Sequence, residues 1–70
     1  MNVYENLKEN LKHLRKQEGL TQVQLSEKLQ ISRTNISRYE TGENVPPLDI
    51  LVKIAAYFDT TIDELLLINN

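Results

Sequence analysis

The sequence predicts an all-α fold, a compact bundle of about five short helices forming one domain over residues 1–70. Three observations carry that expectation. Apolar residues recur at three- and four-residue spacing along most of the chain. No stretch alternates with the two-residue period of a strand. Capping residues, glycines or prolines fall at the joints between the periodic segments. A hydrophobic share of 40% suits a folded globule, although a chain this short buries a limited core and its stability is expected to be modest.

The elements follow in order. Tyr4, Leu7, Leu11 and Leu14 recur at helical spacing among charged residues and define an amphipathic first helix. It ends at Glu18-Gly19, with Gly19 at the left-handed position after the last turn. Leu20 is expected to be buried between helices. Thr21 caps a second helix, and Gln24 stands where it completes a capping box. Leu25 and Leu29 form that helix's apolar face, and Ser26 is small enough to let another helix approach. Ser32 caps a third helix that runs to about Thr41 and has Ile36 and Tyr39 as its large apolar positions. A helix with so narrow an apolar face shows most of its surface to something polar. Gly42 ends it. After the loop Glu43-Asn44-Val45-Pro46-Pro47, a fourth helix carries the stripe Leu48, Leu51, Ile54, Ala55 and Phe58. Asp59-Thr60 breaks it, and Thr61 with Glu64 reads as a second capping box opening a short fifth helix with Ile62, Leu65 and Leu66 inside. Tyr4, Tyr39, Tyr57 and Phe58 lie in apolar stripes and read as core or interface rather than as platforms for stacked bases.

Composition removes several function classes. The chain has no cysteine, so it has neither disulfides nor a thiolate metal site, and its one histidine, His13, reads as a surface residue of the first helix. No metal site, cofactor or small-molecule ligand is expected. Asp63 and Glu64 are adjacent on a helix, point in different directions and do not form an acid/base pair. No catalytic residue stands out, and the chain is not expected to be an enzyme. No apolar run nears the roughly 20 residues that span a bilayer. The N-terminus lacks a signal-peptide layout, so no membrane partner is expected and the expected location is cytoplasmic.

The segment Thr21–Gly42, TQVQLSEKLQISRTNISRYETG, stands out. It reads as two short helices joined by a tight turn, the second presenting Arg33, Thr34, Ser37 and Arg38. That layout is a helix-turn-helix, about residues 21–41, able to set one helix into the major groove of double-stranded DNA. The net charge of −2 runs against a nucleic-acid binder. Its distribution is more favourable. Lys8, Lys12, Arg15, Lys16, Lys28, Arg33 and Arg38 precede a C-terminal part with Asp49, Asp59, Asp63 and Glu64 and only Lys53 as a base, which suggests one basic face and one acidic end.

The residues Leu14-Arg15, Leu20-Thr21-Gln22, Leu25-Ser26, Ile31-Ser32, Ile36-Ser37, Glu40 and Gly42 resemble the small helix-turn-helix domains of the lambda-repressor and Cro type. Pro46, Leu48, Leu51, Lys53-Ile54-Ala55 and Asp63-Glu64-Leu65-Leu66 extend the resemblance over nearly the whole chain. It implies an all-α, lambda-repressor-like domain that binds operator DNA, usually as a symmetric homodimer. It also implies that Gln22 clamps the DNA backbone and steadies the first side chain of the recognition helix, and that Arg15 and Glu40 pair across the domain as a structural tie. Two departures stand out. Gln30 occupies a turn position where the family usually has glycine, at a cost of roughly 1 kcal/mol if it is left-handed. The loop after the third helix, often basic in relatives, is Glu43-Asn44, which predicts weaker or more selective binding.

The candidate site follows. Arg33, Thr34, Ser37 and Arg38 are expected to contact bases, Arg33 through its planar fork on guanine O6 and N7, while Arg38 reads as a contact to either a base or a phosphate. Thr21, Gln22 and Asn35 are expected to contact the DNA backbone, although Thr21 also reads as a plain cap and Asn35 as support for its own helix turn. Leu65, Leu66, Leu67 and Ile68 are too apolar a run for a solvated end and are expected to form a two-fold dimer interface. A dimer of this kind sets its recognition helices roughly 34 Å apart on an inverted-repeat operator. The leading reading is thus a sequence-specific transcriptional regulator, more readily a repressor because occlusion needs no further contact surface. The rival reading is a protein-interaction module of the same fold, such as an antitoxin-like or anti-repressor partner, which the acidic charge favours.

Overall fold

The computed structural model describes residues 2–68, which hold five α-helices and no strand. They are α1 (Val3–Gln17), α2 (Gln22–Leu29), α3 (Arg33–Thr41), α4 (Leu48–Tyr57) and α5 (Ile62–Leu67). The chain folds into a body of 30 × 24 × 21 Å. Helix α1 packs against α3 and α5, α2 against α3 and α4, and α4 against α5. The core at their meeting point consists of Leu7, Leu11, Leu25, Leu29, Ile36, Tyr39, Leu51, Ile54, Ala55 and Leu65.

The helix ends obey local chemistry. Asn2 caps α1, its side-chain oxygen accepting from the N–H groups of Tyr4 and Glu5. Thr21 and Gln24 form the full capping box of α2, each side chain bonded to the other's backbone N–H. Ser32 caps α3 through the N–H of Asn35. Gly42 follows at φ +83°, and a Cβ there would stand 3.2 Å from the Lys8 side chain, so both backbone and space call for glycine. Pro47 stands at the start of α4 without a side-chain cap, and Pro46 beside it is buried.

The sequence-based expectations need adjustment at four places. Tyr4 is 63% exposed and lies outside the core, because α1 turns its buried stripe through Asn6, Leu7, Asn10 and Leu11 instead. Leu48 is 69% exposed; at the first position of α4 it precedes the turn that faces the core, and Ile50 packs there in its place. Tyr57 is also exposed and meets Phe58 edge-on, with ring centroids 5.0 Å apart. At α5, Thr61 accepts from the Glu64 N–H, but the Glu64 carboxylate accepts from the Thr60 hydroxyl at 2.9 Å rather than closing a reciprocal box.

Candidate nucleic-acid interface

Helix α2 leaves its last turn through Gln30, whose φ of 56° is left-handed. This residue reverses the chain so that α3 starts three residues later, and the Ile31 N–H returns to the carbonyl of Ser26 at 3.0 Å. The turn thereby locks α3 across α2. Helix α3 buries Ile36 and Tyr39 on one side. Arg33 and Thr34 are exposed and Ser37 is half-buried, while the Arg38 side chain is 49% exposed. These four positions span about 140° of helix circumference opposite the buried side. The structure thus brings the four candidate base-contact residues together on one outward surface.

The flanking residues have defined roles. Asn35 is half-buried, and its N–H is the donor to the Ser32 cap. Thr21 is committed to its capping box. Gln22 is half-buried at the start of α2, and its Nε2 donates to Glu40 Oε1 at 3.2 Å. Glu40 is itself buried. Its carboxylate receives Arg15 in a two-point contact, Nε to Oε2 at 2.6 Å and Nη2 to Oε1 at 3.0 Å. Arg15 Nη1 also donates to the carbonyl of Leu20 at 2.7 Å. The buried Arg15–Glu40 pair therefore joins α1, the approach to α2 and the last turn of α3. It also holds the side chain of the residue that opens α2.

The basic face is thinner than the charge pattern implied. Arg15 is buried in its pair, Lys8 meets Glu5 at 3.2 Å, and Arg38 meets Glu43 at 2.7 Å. Arg33 is the cation of α3 that has no ion pair among the described residues. The apolar C-terminal run divides: Leu65 is buried and Leu66 packs on the core, whereas Leu67 and Ile68 are 52% and 46% exposed.

Two buried asparagines with a structural role have no counterpart among the sequence-based expectations. Asn10, only 2% exposed, donates from Nδ2 to the carbonyls of Leu65 at 2.8 Å and Ile68 at 2.7 Å. Asn6 donates to the carbonyl of Leu66 at 2.8 Å. Together they satisfy the open carbonyl end of α5 from the side of α1. The available signal was two asparagines four residues apart, beside Leu7 and Leu11 on the apolar stripe. Among the described residues no acidic or histidine cluster could hold a metal ion, and no helix is long and apolar enough to cross a membrane.

A helix-turn-helix family model matches residues 11–65. The chain is 48% identical over 58 residues to the HTH-type transcriptional activator BcrR of Enterococcus faecalis, covering 83% of this chain and 28% of that protein. It is 42% identical over 59 residues to the cryptic phage CTXphi transcriptional repressor RstR of Vibrio cholerae, covering 84% and 53%. The chain thus spans about half or less of the length of these curated relatives. Among solved structures, the hypothetical transcription factor NHTF from Neisseria superposes with a TM-score of 0.85 at 26% identity, covering 94% of this chain and 76% of that one. A transcriptional regulator from Listeria innocua gives 0.81 at 34% identity, covering 91% and 60%.

Proposed function

Because the chain belongs to the helix-turn-helix family, we propose that it is a sequence-specific, DNA-binding transcriptional regulator that lays α3 in the major groove of its operator. The observation that carries this reading is the outward surface of Arg33, Thr34, Ser37 and Arg38, backed by the buried side chains of Ile36 and Tyr39. An α-helix with its side chains is about 10–12 Å across, and the groove is about 12 Å wide. In this role Arg33 and Arg38 address guanines, and Thr34 and Ser37 meet neighbouring base edges. Thr21, Gln22 and Asn35 fix the register on the backbone, with Gln22 steadied by Glu40.

The proposed mode of action is repression by a homodimer on an inverted repeat. Occlusion requires nothing beyond binding, and RstR is by name a repressor, although BcrR is by name an activator. The exposed pair Leu67 and Ile68 supports a two-fold contact at the C-terminal end.

One observation favours a protein-binding role for the same surface: Arg38 is already paired with Glu43 on an acidic chain. Duplex binding followed by fluorescence anisotropy over a salt series separates the two roles. Counterion release makes log K fall linearly with log salt, by about 0.9 per phosphate contacted. The DNA reading expects such a slope for several phosphates. Absence of duplex binding at low salt would refute it.

A further inference from the structure

Glu43 lies just past α3, and the loop fixes it there. The Asn44 N–H donates to the carbonyl of Arg38 at 3.2 Å. The Thr41 hydroxyl donates to the same carbonyl at 3.2 Å and accepts the Glu43 N–H at 3.4 Å. The Glu43 carboxylate then stands 2.7 Å from Arg38 Nε, with the two side chains 63% and 49% exposed. A pair so open to water adds little to stability, so its main consequence lies in what Arg38 can do. A guanidinium has five donors in a fixed fork. The Glu43 carboxylate stands against Nε as an ion-pair partner, on one side of that fork. The Nη1–Nη2 edge keeps two parallel donors, a spacing that suits guanine O6 and N7. The same carboxylate repels a phosphate that would approach Arg38.

We propose that Glu43 is a specificity-determining positioning residue: it grips Arg38 from the Nε side, leaves the outer edge of the guanidinium for a guanine, and keeps Arg38 from serving as a backbone clamp. The proposal rests on the base-reading role of α3 given above. It also gives the acidic loop a purpose, in which some affinity is given up for discrimination.

The test is a double-mutant cycle on the full chain with Arg38→Ala, Glu43→Gln and the pair together. Each protein is titrated against the duplex that wild type selects from a random pool, against single base-pair variants of it, and against random-sequence duplex. Glu43 is exposed, so Glu43→Gln should unfold at the wild-type temperature. Arg38→Ala should lose discrimination at one base pair by about tenfold. Glu43→Gln should lose discrimination at that same base pair while binding random duplex more tightly, and the double variant should discriminate no worse than Arg38→Ala. Equal tightening of Glu43→Gln on matched and mismatched duplexes would overturn the proposal and reduce Glu43 to a repelling charge. So would a loss for Arg38→Ala that is uniform across sequences. Wild type that selects no sequence at all would overturn the base-reading role itself, before any variant is compared.

Discussion

Arg15 and Glu40 form an ion pair whose side chains are only 10% and 3% exposed. Their two-point contact compensates the desolvation that burial imposes, and Gln22 adds a third donor to the same carboxylate. Removing one partner strands the other. Glu40→Ala is expected to lose about 3–5 kcal/mol in urea unfolding, which rivals the roughly 4–10 kcal/mol that a domain of this size possesses. Exchanging both residues for apolar ones of similar volume should restore most of that loss, since the cost lies in the unpaired charge. If Glu40→Ala unfolds at the wild-type urea midpoint, the pair is not a structural tie. The arginines of α3 behave differently because they face water. Arg33→Ala should leave the urea midpoint nearly unchanged, and any change it brings should be read in DNA binding alone. Burial and a carboxylate make Arg15 structural, and exposure leaves Arg33 and Arg38 open to the proposed recognition role.

At the level of elements, the turn between α2 and α3 and the attachment of α5 decide how well the recognition surface is held. Gln30 is left-handed at φ 56°, a conformation that costs a side-chain-bearing residue about 1 kcal/mol or more. Gln30→Gly should therefore raise stability by about 1 kcal/mol in thermal unfolding; a loss would mean that the Gln30 side chain makes a compensating contact. Helix α5 is six residues long and cannot hold itself. Its carbonyl end depends on Asn6 and Asn10. Asn10→Ala is expected to cost about 1–3 kcal/mol, with hydrogen exchange speeding first in α5; uniform acceleration across all helices would instead indicate a general core defect. These two elements also show what was legible in the sequence. The capping box at Thr21, the cap at Ser32, the left-handed exit at Gly19 and the helix end at Gly42 are local chemistry, written within four residues, and they read correctly. The bonds from Asn6 and Asn10 were not legible, because they join helices more than fifty residues apart, and the exposure of Tyr4 and Leu48 depends on how α1 and α4 turn against their neighbours. Likewise the pairing of Arg38 with Glu43 was invisible to a count of charges, which placed Arg38 on a free basic face.

For the whole molecule the difficulty is charge. A chain at −2 that commits Arg15 to the interior and ties Arg38 to Glu43 approaches DNA with little general attraction. The proposed remedy is pairing of two copies, which doubles the recognition surface on one duplex. Leu67 and Ile68 supply an exposed apolar contact for that purpose, while Leu65 and Leu66 face inward. Leu67→Glu should therefore leave the fold intact and weaken self-association in sedimentation equilibrium, with operator binding lost in parallel; unchanged association would remove this end from the dimer. In the proposed role α3 reads base sequence. The decisive measurement selects bound duplexes from a random pool and then compares Arg33→Ala and Arg38→Ala on the winners. The expected result is an inverted repeat with half-sites about one helical turn apart, and a loss of about 1–3 kcal/mol confined to particular base pairs for each substitution. A loss spread evenly over all sequences, or a pool from which nothing is enriched, would contradict it.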